Sequence, residues 1–223
     1  VLIIARTFRG NGRIQAVGGL GDPTWMSGGG GGRIAIRIDP EAQLTVDPQP
    51  GVIISAAAGS GGTAISQMGT LFFTNTTILA PMVSMTAYLS FPTQEVTVAH
   101  ALTISNANFG LTAGQTFRVM GDLDLVQTGK LTMHAGPTNG LSYGALLDIA
   151  GDWLIRTNGT GYLHSDPTNG GAVRILLTNL TVFGGGLIEV SQRGYRGGVD
   201  GEEGYGPGRG VIGSGYGGPA GHG

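Results

Sequence analysis

Residues 121–140, GDLDLVQTGKLTMHAGPTNG, align without a gap on residues 151–170, GDWLIRTNGTGYLHSDPTNG, with eight identities in twenty positions. The offset is thirty residues. A looser third copy, TNLTVFGGGLIEVSQRG, follows at an offset of 27 and sets Leu123, Trp153 and Leu180 at one equivalent position. Leu125, Ile155 and Val182 share a second, and Met133, Leu163 and Val190 a third. Each copy reads as strand, turn, strand, loop. Self-similarity at a period of roughly 20–50 residues marks units that cannot bury an apolar side alone and must stack on their neighbours.

The rest of the chain obeys the same grammar. Short alternating apolar runs, among them RIAIRI, GTLFFT, MVSMTAYL, FRVMGDLDLV and AVRILLTNLTVF, are broken by Gly, Asn, Asp and Pro. That is the pattern of many short strands, and no segment carries a ten-residue helical period. An all-β fold is expected. An antiparallel sandwich would also supply short strands and regular turns, but not turn-for-turn repetition that carries PTNG at one register. The repeat therefore predicts a parallel β-helix, a solenoid, over residues 1–193, with a glycine-rich insertion at 18–32 and a glycine-rich tract at 194–223.

Glycine, 44 of 223 residues, is the compositional outlier, far above the usual ~7%. Its spacing lacks the strict period of three that a collagen helix demands. A phosphate-binding loop is excluded as well, because GGGGGRIAIRI is not followed by a helix bearing Lys and Ser or Thr. The C-terminal tract interleaves Tyr195, Tyr205 and Tyr216 with Arg196 and Arg209, just after Arg193. Such side chains stack and hydrogen-bond, so the tracts are read as ordered, extended, polyproline-II-like segments pinned by arginine and tyrosine.

The two ends resemble halves of one junction. TFRGNGRIQAVGG near the start superposes on TVFGGGLIEVSQR near the end, and each runs into a glycine tract. After the first tract the chain steps from Gly32 to Arg33 and resumes as RIAIRI; Val1, Leu2 and Ile3 open a similar strand, VLIIAR. Gly223 followed by another copy's Val1 would reproduce that step. The expected partner is therefore a second copy, joined head to tail or in tandem, and a non-closing contact of this kind builds filaments. The start at Val1 rather than Met fits a processed product or a window on a longer chain.

Candidate chemistry is sparse. Charged residues make up 12% and the net charge is −2, which leaves no footprint for nucleic acid, and no apolar run of ~18 residues is present to insert in a membrane. The absence of cysteine excludes disulfides and thiolate metal sites. His134 and His164 fall in one outward column beside Thr132 and Tyr162, but Ser191 stands where a third metal ligand would be needed, so the column reads as a solvent-facing ladder. Asp122, Asp124 and Asp152 are the weak alternative for an acid/base set or a Ca²⁺ site, against the commoner use of Asp at a turn as a backbone hydrogen-bond acceptor. Asp200, Glu202 and Glu203 in VDGEEG are a second weak Ca²⁺ candidate; no cofactor is otherwise expected. Sequons stand at Asn75, Asn158 and Asn179.

RGNGRIQAVGG, SGGGGGRIAIRI, GSGGTAISQMGTLFF and the GDLDLVQTGKLTMHAG repeats together resemble the glycine-rich β-helical segments of very large secreted or cell-surface bacterial proteins. More distantly the chain is similar to the pectate-lyase-like β-helix superfamily and to adhesin passenger domains. The resemblance implies a right-handed β-helix, an extracellular or cell-surface location and contact with surface glycans. It also implies the rival function, a polysaccharide-cleaving enzyme, for which only Asp122, Asp124 and Asp152 match the expected acidic cluster and no basic partner is evident. The main expectation is a non-catalytic structural unit of a filament, sheath or adhesin, with Val1, Leu2, Ile3, Gly32, Arg33, Tyr195, Arg196, Tyr205, Arg209, Tyr216 and Gly223 as its assembly residues. Ice or mineral binding would need a regular Thr-x-Thr ladder, which the sequence lacks.

Overall fold

The computed structural model describes residues 1–22, 27–61, 66–79, 82–138, 143–197 and 204–206. The first part of the chain contributes β1 (Leu2–Ile4), β2 (Arg13–Gln15), β3 (Arg33–Arg37), α1 (Pro40–Leu44), β4 (Ile53–Ser55), β5 (Thr70–Phe73), β6 (Met82–Val83) and β7 (Met85–Ser90). The second part contributes β8 (Glu95–Val98), β9 (Leu102–Ser105), β10 (Asn108–Leu111), β11 (Thr116–Val119), β12 (Leu123–Val126) and β13 (Lys130–His134). The last contributes β14 (Gly144–Ile149), β15 (Trp153–Ile155), β16 (Thr160–His164), β17 (Ala172–Leu176), β18 (Leu180–Val182) and β19 (Leu187–Glu189).

These strands form three sheets whose pairings are all parallel. The first runs β1-β3-β5-β7-β10-β13-β16-β19, the second β8-β11-β14-β17 and the third β6-β9-β12-β15-β18. From β8 onward the chain visits the second, third and first sheets in that order, four times over. The expected all-β, parallel architecture is therefore present.

The columns anticipated from the repeat are the register of the sheets. Leu123 pairs with Trp153, which pairs with Leu180; Leu125 pairs with Ile155, which pairs with Val182. Met133 pairs with Leu163 and His134 with His164. Alternation places one face of the central strands in a single continuous core, so Phe117, Val119, Leu123, Leu125, Leu131 and Met133 are all at most 1% exposed. Successive parallel strands lie ~4.8 Å apart, which brings like side chains into contact from one repeat to the next.

The repeated turn glycine has a packing cause. Gly129, Gly159 and Gly186 each donate a hydrogen bond to the carbonyl three residues earlier. A Cβ at Gly159 would lie 2.7 Å from the Leu125 carbonyl oxygen, and one at Gly186 2.5 Å from that of Ile155. Gly129 meets the Ile104 carbonyl in the same way. The turn crosses so close to the strand of the preceding repeat that no side chain fits.

The N-terminal third departs from this regularity. The start-to-end superposition leads one to expect β2 and β19 in equivalent settings, but β2 pairs with β4 in a branch that joins the first sheet only at β7. The fork exists because β7 has six residues: Met85 and Thr86 pair with β4, while Tyr88 to Ser90 pair with β5. The glycine excursions between these strands hydrogen-bond to one another. Gly29 N–H donates to Gly19 O, Gly59 N–H to Gly29 O, Gly69 N–H to Ala56 O and Gly32 N–H to Ala16 O. The described part of the first tract is thus an ordered, cross-bonded layer.

Helix α1 starts at an N-cap, Asp39, whose carboxylate accepts from the amides of Glu41 and Ala42, with Pro40 opening the first turn. Its function in the fold is carried by Gln43, which is fully buried. The Gln43 side-chain oxygen accepts from Phe8 N–H at 2.7 Å and its amide donates to Phe8 O at 3.0 Å. This clamp docks the N-terminal segment. Gln43→Ala strands both backbone groups and is expected to lower unfolding stability by about 1–3 kcal/mol, measured as a shift in urea midpoint at constant slope. Gln43→Glu, which keeps the acceptor but turns a second buried oxygen toward the Phe8 carbonyl, should cost at least as much.

Candidate functional site

The densest group of chemically capable side chains lies on the outward face of the first sheet at its C-terminal end. β13 and β16 bring His134 and His164 into register, and their rings stack with centroids 4.1 Å apart and planes 22° from parallel. Tyr88, from β7, crosses above Gly110, where a Cβ would be only 2.6 Å from its ring. Its hydroxyl is 3.3 Å from His134 Nε2, and the two rings meet edge to face at 5.6 Å. On the other side Arg193 places Nη1 2.8 Å from His164 Nε2 while its guanidinium lies 4.5 Å from the centre of the Tyr162 ring.

The electrostatics follow from this packing. Burial, then His134 and Arg193, hold His164 down to about 4. Burial and Arg193 also lower His134, and burial raises the Tyr88 phenol. Both imidazoles are therefore neutral near pH 7. The expectation of a solvent-facing ladder needs correction: the column is outward, but its rings are half-buried beneath Tyr88 and Arg193. Sequence alone supplied the histidine register through the shared position in the repeat. It contained no signal for Arg193 or Tyr88, because these reach the column across neighbouring strands.

The three aspartates are engaged elsewhere. Asp122 accepts from the backbone N–H of Asp152 at 2.8 Å, and Asp152 accepts from the Asn179 side-chain amide at 2.8 Å. Asp124 takes a forked pair of bonds from Arg156 at 3.0–3.2 Å. Its hydrogen bonds to the guanidinium raise the Arg156 pKa above its ordinary value. Arg156 is the basic partner that sequence reading missed; it lies one repeat away and also packs its guanidinium 4.7 Å from the Phe183 ring. Among the described residues no three His, Asp, Glu or Cys side chains converge to hold a metal ion. Asp200, Glu202 and Glu203 lie outside the described residues.

Of the residues expected at the junction, Leu2 and Ile3 lie in β1 and Val1 just before it, donating its amino group to Arg33 O; among the described strands β1 pairs only with β3, at the outer edge of the first sheet. Gly32 and Arg33 are internal, held by the Ala16 carbonyl on one side and by the Thr70 amide on the other. Arg196 N–H donates to Pro167 O, its guanidinium covers the Tyr205 ring at 5.0 Å, and Tyr205 N–H donates back to Arg196 O. Tyr195 packs against Gly170 and Gly206. Arg209, Tyr216 and Gly223 lie outside the described residues. Of the sequon asparagines, Asn75 caps its own turn by accepting from Thr77 N–H, and Asn158 sits at a left-handed corner with φ 65°.

Comparison with protein-family models, with curated proteins and with solved structures found no match for this chain.

Proposed function

We propose that the chain is a parallel β-helix that serves as a non-catalytic structural unit of an extracellular filament, sheath or adhesin, joined to its like at the two ends of the stack. The cyclic order of strands around three parallel sheets supports the β-helix. The observation that carries the assembly reading is the fate of one column. Trp153 and Ile155 are fully buried, yet Leu180 and Val182, at the same inward positions one repeat later, are 47% and 46% exposed. Nothing in the described chain stacks on them.

At the same end of the stack an open recess of about 190 Å³ is lined by Leu163, Ala172, Val173 and Val190 together with the polar His164, Ser165 and Arg193. At the opposite end Leu2 and Ile4 of β1, and Val1 before it, are exposed. Among the described residues each end presents a parallel edge with apolar side chains, a surface that a further repeat would cover, and such edges are the usual template for strand addition. The location outside the cell rests on the resemblance of the glycine-rich repeats.

Negative-stain microscopy and sedimentation over a range of concentrations test the reading. Wild-type chain is expected to form end-to-end assemblies that lengthen with concentration, and Val182→Lys with Leu187→Lys, which place charges on the open end, to remain monomeric. Wild-type monomers at every concentration would overturn it.

A further inference from the structure

We propose that His134, His164 and Arg193 form an acid-labile clasp that fastens β19 and the turn after it to β16 and loosens as the pH falls below neutrality. The geometry requires unprotonated imidazoles. An arginine can only donate, so His164 Nε2, 2.8 Å from Arg193 Nη1, must be an acceptor. A proton there removes the acceptor and turns an attractive contact into imidazolium against guanidinium. It also places a charge on a ring stacked 4.1 Å from His134, itself beside the Tyr88 hydroxyl.

Arg193 is the right residue to act as the fastening because side chain and backbone grip the same neighbour. Its carbonyl accepts from Ser165 N–H at 2.8 Å, directly after His164. The groups facing the pair are Tyr88 from β7, Lys130 from β13, Tyr162 from β16, Glu189 from β19 and Arg193 itself. The single acid in this set, Glu189, is held below the usual carboxylate range by the Ser191 hydroxyl and amide, with Arg193 contributing, so it stays ionised in the window in question. Among the described residues no carboxylate forms an ion pair with either imidazole.

The sign follows from linkage. In the closed fold His164 titrates at about 4, whereas an opened segment regains the ordinary value near 6.5. The hold is therefore complete above about pH 6.5 and weakens progressively as pH falls toward about 4.

Amide hydrogen exchange of the dilute, monomeric full chain, expressed as protection factors, tests this apart from any assembly. Between about pH 7.5 and pH 5, protection at Ser165 and Leu187 should fall about tenfold while that at Phe117 and Leu123 stays level. His164→Phe, which keeps a ring in the stack without a basic nitrogen, should abolish the pH dependence. Arg193→Gln, which keeps a donor and removes the charge, should raise the His164 midpoint seen by imidazole NMR. A His164 midpoint near 6.5 in the wild type, a pH dependence that survives His164→Phe, or an unmoved midpoint in Arg193→Gln would each overturn the clasp. Failure to assemble at any pH would bear on the structural-unit reading alone.

Discussion

Trp153→Ala is expected to lower the unfolding free energy by about 3–5 kcal/mol, read as a fall in the urea midpoint, because it empties the largest fully buried side chain among the described residues. Trp153 is stacked between Leu123 and Leu180 in the third sheet and reaches across the interior to the first. There it meets Gly161, where a Cβ would lie 3.0 Å from two carbons of the indole ring. Gly161 pairs with Leu131, so the repeat trades a leucine on one side of the core for a tryptophan on the other. The trade makes a second, sharper expectation. Gly161→Val alone overpacks against a ring that cannot move and costs about 1–3 kcal/mol. In the Trp153→Ala background the same valine fills part of the vacated space, so the double variant should be more stable than the sum of the singles implies by about 1 kcal/mol or more. Strict additivity would show that the two residues do not share one volume.

The second large effect is expected in the glycine layer. Gly31→Val or Gly69→Val should each cost about 3 kcal/mol, by thermal or urea unfolding, since neither displaced atom is a flexible side-chain end. A Cβ at Gly31 would run into the carbonyl of Ala56, and one at Gly69 into that of Gly32. Separating the backbones breaks the bonds that define the layer, Gly31 N–H to Gln67 O and Gly69 N–H to Ala56 O among them. Gly12→Ala and Gly19→Ala are the controls. Nothing lies within 4 Å of a Cβ at either position, and neither has a left-handed φ, so both should stay within about 0.5 kcal/mol of wild type. Equal losses at all four positions would mean that the tract's glycines are needed for chain freedom and not for close approach.

The contrast between these two regions shows what a repeat makes legible. In a parallel stack, residues at the same point of successive repeats become neighbours, so aligning Leu123 with Trp153 and Leu180 was already a statement of contact. The same logic put His134 on His164. It failed at the N-terminal third, where the likeness of residues 7–19 to residues 181–193 describes a local strand and turn but not which strand lies beside it. The fork at β7 depends on one strand being long enough to serve two partners, and periodicity carries no information about that.

By itself the sequence determined the strand-forming alternation and the parallel register of the regular repeats, because each depends on residues at fixed spacing along the chain, whereas which glycines pass beneath a neighbouring carbonyl emerged only from the folded backbone. The tertiary structure decided the contacts made by side chains reaching sideways between repeats: Gln43 on the Phe8 backbone, Arg156 on Asp124, and Arg193 and Tyr88 on the two histidines. Their partners lie 29 to 46 residues away at no common period. Only the folded path of the chain, with its known strand neighbours and corner angles, sets which long side chain meets which ring or carboxylate.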